Sequence, residues 1–135
     1  MRLNPNCIRD VLLYLEDNLT ISKSYDTFYF ESLTLDKISQ DLPSYPSTEL
    51  VNTILILNEG GYILSSADYS GAGLVYLEVN RITYSGYQFI EKIRPETVWK
   101  KLGKILSNAG SFSFDLISTT ALEILTSRIT SLLNA

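Results

Sequence analysis

Histidine is missing from the 135 residues, which removes the commonest general base and metal ligand. Cysteine occurs once, as Cys7, so no internal disulfide can form, and the lone thiol fits a reducing cytoplasm. A zinc site would have to join that one thiol to scattered carboxylates, and no ligand spacing supports it. No window holds ~18 uninterrupted apolar residues, so no membrane span is expected. The opening Met1-Arg-Leu-Asn-Pro-Asn-Cys7 lacks an apolar run behind a basic start, so no signal peptide is expected either. Charge is also scarce: 19% of residues carry it, which leaves apolar surface to be covered, most cheaply by self-association.

What is present points to a folded chain. Hydrophobic residues make up 45% and aromatics 11%, with nine Tyr, which excludes a disordered tail for most of the length. A chain of this size can bury about two thirds of its unfolded surface, enough for one domain or a small domain with an appendage. The net charge of −4 is unevenly spread. Four Lys and Arg stand against eleven Asp and Glu up to residue 80, a balance of −7; from Arg81 onward seven stand against four, a balance of +3.

The organising stretch is Pro46 to Val79. Pro46-Ser-Thr-Glu-Leu-Val-Asn-Thr-Ile-Leu-Ile-Leu-Asn-Glu59 has helical periodicity, with Leu50, Ile54 and Leu57 inward, Val51 and Leu55 beside them, and Thr48, Glu49, Asn52, Thr53 and Ile56 on the far side. Gly60-Gly61 ends it, since glycine tolerates the left-handed conformation there. Tyr62 to Ser66 and Leu74 to Val79 then read as two strands joined by Ser70-Gly-Ala-Gly73, with Val75, Leu77 and Val79 as the buried face. Helix, strand, glycine loop, strand is the second half of a winged helix. The expected fold is therefore α+β: a winged helix-turn-helix over residues 1–93, with a C-terminal helical extension over 94–135 serving oligomerisation.

The flanking segments fit this plan. Asn4 or Asn6 can cap a helix from Pro5 to Leu19 whose stripe is Ile8, Val11, Leu12, Leu15 and Leu19. Thr20 to Thr27 reads as a loop, and Phe28 to Leu33 as the short third strand beside the wing hairpin. Thr34 caps a helix carrying Leu35, Ile38 and Leu42, stopped by Pro43. Thr83 caps another over Tyr84 to Ile93, where Gly86 permits close approach. Past Arg94-Pro95-Glu96, the stripe Val98, Leu102 and Ile105 marks a fifth helix, with Trp99 and Leu106 alongside and Lys100, Lys101 and Lys104 pointing away. After the break at 108–113, Phe114 to Leu133 is one helix nearly without charge, in which Leu122, Leu125, Ile129 and Leu132 keep a seven-residue rhythm suited to an oligomer seam.

Little of this chain is arranged for chemistry. Cys7 near a helix start could have a lowered pKa, but without a histidine it reads as a small buried thiol. Glu16-Asp17 and Asp36 with Asp41 lie adjacent or on one helix face, whereas paired acid catalysis needs carboxylates across a cleft. Ser70-Gly-Ala-Gly73 joins two strands and opens no helix, so it lacks the setting of a phosphate loop. No catalytic residue, metal or cofactor is expected.

Leu3-Asn-Pro-Asn-Cys-Ile-Arg-Asp-Val-Leu-Leu-Tyr-Leu-Glu-Asp-Asn-Leu19, Leu57-Asn-Glu-Gly-Gly-Tyr-Ile63, Ile82-Thr-Tyr-Ser-Gly-Tyr-Gln-Phe-Ile90 and Val98-Trp-Lys-Lys101 together resemble an uncharacterised family of small phage and prophage proteins of Gram-positive bacteria, similar to the YjcQ-like winged-helix group. The resemblance implies a winged helix-turn-helix with a helical extension in a phage or prophage setting, and no catalytic or ligand residue.

Two functions then compete. In a DNA-binding regulator, helix 46–60 would enter the major groove, Asn52 and Thr53 would reach base edges, and Arg81, Lys92, Arg94, Lys100, Lys101 and Lys104 would contact backbone. Helix 46–60 and the wing 62–79 contain no Lys or Arg, however, and phosphate neutralisation supplies nearly all non-specific affinity. The favoured expectation is a non-enzymatic interaction protein that binds a protein partner through that acidic face, with Ile56, Tyr69 and Tyr76 exposed on or near it, and that forms homo-oligomers through helix 114–133. Attachment of that helix to a membrane surface is disfavoured because it lacks a basic polar face.

Overall fold

The structure is a computed structural model that describes residues 1–134, and it is a mixed α+β chain. It forms two compact units, one of residues 1–87 and one beginning at Gln88. The division expected from sequence, after residue 93, falls further along, at the end of a helix that the observed boundary interrupts.

The first unit starts with α1, Pro5–Asn18, whose N-cap is Asn4: its side chain accepts from the Asn6 and Cys7 amides, and Pro5 needs no partner for the donor it lacks. The α1 stripe of Ile8, Val11, Leu12 and Leu15 is fully buried, each side chain stabilising by about 1.5–3 kcal/mol relative to exposure. Opposite it lies α3, Ser47–Glu59, burying Leu50, Ile54 and Leu57. Two polar contacts tie the pair together: Asn4 Nδ2 donates to Glu49 Oε1 at 2.7 Å, and the Tyr45 hydroxyl, on the turn into α3, donates to Asp10 Oδ2 at 2.6 Å. Between them in sequence, α2, Leu35–Asp41, is capped by Thr34, which accepts from the Lys37 amide, and its Asp41 takes the Tyr14 hydroxyl at 2.6 Å. That bond, with Lys37 beside it, holds the Asp41 carboxyl below its ordinary pKa.

The strands depart from expectation at the arm, at its junction with the second sheet and at Val75. Residues 20–27 are not a loop. Thr20–Ser24 is a strand, β1, paired antiparallel with β2, Thr27–Glu31, as a separate two-stranded arm exposed on both faces. Its turn places Tyr25 at φ +55, a conformation usually left to glycine. Only Leu33–Thr34, β3, joins the other sheet, so the strand expected over residues 28–33 is in fact two strands in two sheets. That second sheet has order β3-β5-β4, with β4 at Ile63–Ser70 and β5 at Gly73–Ile82 antiparallel across the expected Ser70-Gly-Ala-Gly73 turn. Leu77 and Val79 are buried on β5 as read, but Val75 is 65% exposed: Tyr76 pairs with Asp68 and Leu74 with Tyr69, so the ladder skips Val75, and this bulge breaks the alternation.

The α3 terminus is closed by a Schellman pattern. The Tyr62 amide reaches the Leu57 carbonyl at 2.9 Å and the Gly61 amide reaches Asn58 at 3.1 Å, with Gly61, not Gly60, in the left-handed region. The hairpin then returns to the same place: the Thr83 amide donates to the Tyr62 carbonyl at 3.0 Å, Thr83 Oγ1 donates to Gly61 O at 2.5 Å, and the Gly86 amide donates to Thr83 Oγ1 at 3.0 Å. Thr83 thereby caps α4, Tyr84–Ile93.

In the second unit, α5 spans Glu96–Ala109 and ends at Gly110 in the left-handed region, and α6, Phe114–Leu133, begins at Ser113, which accepts from the Leu116 amide. Val98, Leu102 and Leu106 are buried on α5, and Ile117, Ala121 and Ile124 on α6. Ile105, expected in the stripe, is exposed, since the buried face advances in steps of four and selects Leu106 instead. Phe89 and Phe114 meet with ring centroids 5.5 Å apart, and Arg128 donates to Thr97 Oγ1 at 2.7 Å.

Two glycines report on this packing with opposite sign. A Cβ at Gly86 would sit 2.0 Å from the Tyr62 carbonyl oxygen, so Gly86→Ala should cost about 3 kcal/mol in urea-unfolding free energy. A Cβ at Gly103, inside α5, meets nothing within 4 Å, so Gly103→Ala should raise stability by about 0.5–1 kcal/mol in the same measurement.

Candidate functional site: a groove between α3 and the β4–β5 hairpin

One face of α3 and the distal part of β5 form the walls of a groove of about 590 Å³. From α3 come Thr48, Val51, Asn52 and Leu55, the i, i+3, i+4, i+7 set of a single helix face. From the sheet come Leu74, Val75, Tyr76 and Leu77. Side chains of a strand alternate between two faces, so four consecutive residues along one groove are what a strand presents with its edge. The reason is the brevity of β3: it pairs only with Glu78 and Val79 before the chain turns into α2, so residues 74–77 have β4 on one side and no strand on the other. Leu35 and Asp36 at the start of α2 close one end, with Met1 nearby, and Asp36 has the single charged side chain in the lining.

The face expected to do the reading is divided by this geometry. Thr48 and Asn52 line the groove. Glu49 is turned toward α1 and accepts from Asn4. Thr53 is not on the far side: it is 3% exposed, and its hydroxyl donates to Cys7 Sγ at 3.3 Å. Ile56 is half-buried and not exposed in mid-face. Val51 and Leu55, read as inward flanks, are instead groove walls. Tyr69 is exposed on β4, and the Tyr76 hydroxyl donates to Glu78 at 2.8 Å, a bond that raises its pKa.

The basic residues are dispersed. Arg81 belongs to the first unit and lies over the Phe30 ring at 5.2 Å. In the second unit Lys92 donates to Ser118 Oγ at 2.8 Å, Arg94 pairs with Glu91 at 2.6 Å, Lys100 lies 3.9 Å from Glu96, and Lys101 and Lys104 are exposed. Of the expected seam, Leu122, Ile129 and Leu132 are exposed on α6, Ile129 by 57%, and Leu125 is half-buried; they flank the stripe that α6 buries. Leu132 also lines a second concavity of about 330 Å³ with Lys101, Ile124 and Arg128.

Sequence reasoning missed the open strand edge and the arm. The first had a signal: if Thr34 caps a helix, the strand before it cannot cover a partner that runs from 74 to 79. The second had almost none, because the arm turns on Tyr25-Asp26 without glycine.

Among the described residues no helix is long and apolar enough to cross a membrane, and no three or more His, Cys, Asp or Glu side chains gather in a way that could hold a metal ion. Cys7 is fully buried under α3, and burial pushes its thiol pKa up, with Thr53 acting the other way. At pH 8 the thiol is therefore both shielded and protonated, and a disulfide reagent should label the folded protein at least about 100-fold more slowly than the urea-unfolded chain.

The chain matches no curated protein and no solved structure. Residues 2–112, which take in the first unit except Met1 and about half of the second, match the model of a family described as hypothetical protein (DUF2513), and the chain belongs to that family, a domain of unknown function.

Proposed function

We propose that the protein is a non-enzymatic binding module of winged-helix type that takes a partner protein in the α3–β5 groove and self-associates through α6. The order α1, β3, α2, α3, β4, β5 and the sheet order β3-β5-β4 support the winged-helix reading. The observation that carries the function is the groove lining. On the side where a winged helix would meet DNA, the walls are largely apolar and the one charged side chain is the carboxylate of Asp36. A phosphate backbone is repelled by such a surface, while a protein segment with apolar side chains can bury there. Self-association is supported by Leu122, Ile129, Leu132 and Leu133 lying exposed along α6. The resemblance of the residue patterns to phage and prophage winged-helix proteins supports a phage setting inside a bacterial host cell.

The DNA-regulator reading would need the cations of the second unit to reach a backbone together. Titration with mixed-sequence duplex at low salt separates the two: no binding is expected, and weak binding that falls steeply with salt would overturn the protein-partner reading. For α6, light scattering should give a multimer for the native chain and a monomer for Leu122→Glu/Ile129→Glu, whose exposed positions leave the fold intact. A native chain that is already monomeric at micromolar concentration removes self-association from the proposal.

A further inference from the structure

Resting on the reading of the groove as a protein site, we infer that its occupant is an extended segment of a partner protein that adds as a strand to the free edge of β5 at residues 74–77. The segment continues the line that β3 abandons at Thr34. Three observations carry this.

The first is backbone supply. Between Leu74 and Leu77 β5 has a neighbour strand on one side only, so its other edge offers unshared N–H and C=O groups over about 13 Å, with a bulge at Val75, which the β4 ladder skips, as the one irregularity an added strand has to accommodate. Such an edge is a template for another chain unless something blocks it. Proline and a covering helix are the usual blocks. The sequence Leu74-Val-Tyr-Leu77 contains no proline, and α3 stands across the groove from the edge, leaving a slot between them.

The second is side-chain supply. An added strand alternates its side chains between the two faces of the sheet. On one side it would meet Val51 and Leu55 of α3, both half-buried and apolar, so alternate residues of the occupant should be apolar and β-branched. Thr48 and Asn52 on the same wall can bond polar atoms between them.

The third is charge. Asp36 has the only charged side chain in the lining, and the unit that holds the groove carries five Lys and Arg against eleven Asp and Glu, a side-chain balance of −6. The occupant should therefore carry a lysine or arginine toward the α2 end and no acidic residue.

The test is selection of a displayed library of random seven-residue peptides on the full chain, counter-selected on Val51→Arg, with Thr48→Arg as a second blocked variant at an exposed position that cannot disturb the core. Selected peptides are synthesised and their affinities measured, then remeasured after backbone N-methylation in each of the two alternate registers. Strand addition requires alternating β-branched residues with a Lys or Arg. It also requires a loss of about tenfold or more when one register is methylated and little change for the other, since only one set of amides faces β5. Asp36→Asn should weaken these peptides about threefold and flatten their salt dependence. Peptides with helical spacing, or indifferent to methylation, overturn strand addition and leave the partner-binding reading standing. Peptides displaced by DNA at low salt overturn it in favour of nucleic acid. If the native chain retains no peptide that both blocked variants reject, strand addition and the partner-binding reading fall together.

Discussion

The geometry of the first unit hangs on one peptide carbonyl. Tyr62 O accepts the Thr83 amide at 3.0 Å and lies where a side chain on Gly86 would have to go. Around it the end of α3, the root of the β4–β5 hairpin and the first turn of α4 are held within a few bonds of one another, Thr83 Oγ1 bridging from Gly61 to the Gly86 amide. Each bond alone contributes about 1 kcal/mol. Together they fix the angle between α3 and β5, and that angle sets the width of the groove.

Electrostatics distribute roles over the chain more than they hold it together. The exposed ion pairs at Lys37–Asp41, Lys100–Glu96 and Arg94–Glu91 are local helix pairs of three or four residues' separation, worth a few tenths of a kcal/mol each. In the first unit, three bonds between elements are instead made by neutral donors to carboxylates: Tyr45 to Asp10, Tyr14 to Asp41, Asn4 to Glu49. They use acids of the negative unit as internal acceptors, which explains how a domain so short of cations tolerates its carboxylates. Burial and these carboxylates push the Tyr14 and Tyr45 hydroxyls well above their ordinary pKa. The stabilisation they provide is complete below about pH 10, the unfolded value, and is lost as pH rises beyond it.

Most elements were legible because their signals are local. The stripes of α1 and α3, the Thr83 cap of α4, the stop at Gly60-Gly61 and the turn at Ser70 to Gly73 each depend on residues close in sequence. What was not legible depended on distance. Alternation put Val75 on one face with Leu77 and Val79, but could not show that the ladder skips Val75 as a bulge. The choice between Ile105 and Leu106 is a choice between steps of three and four, which only the neighbouring helix decides. Thr53 looked outward because it is polar, yet Cys7 supplies a partner that lets it sit inside. The groove was half visible: Thr48 and Asn52 were placed on a reading face, while the edge of β5 depended on recognising how little of it β3 covers.

The β1–β2 arm has a dynamic consequence. With both faces in solvent, it is held by its own ladder, a Ser22 to Glu31 bond and cations over two rings, Lys23 on Phe28 and Arg81 on Phe30. A two-stranded ribbon of this kind is only marginally stable, and the left-handed Tyr25 subtracts from it. The arm therefore behaves as its own cooperative unit, opening and closing many times for each opening of the α1–α3 core. Its exposed Ile21, Tyr25, Phe28 and Tyr29 thus ride on a tether that Arg81 of β5 steadies at the Phe30 ring. Anything that grips them must first still them, and gives up part of its affinity as lost conformational freedom.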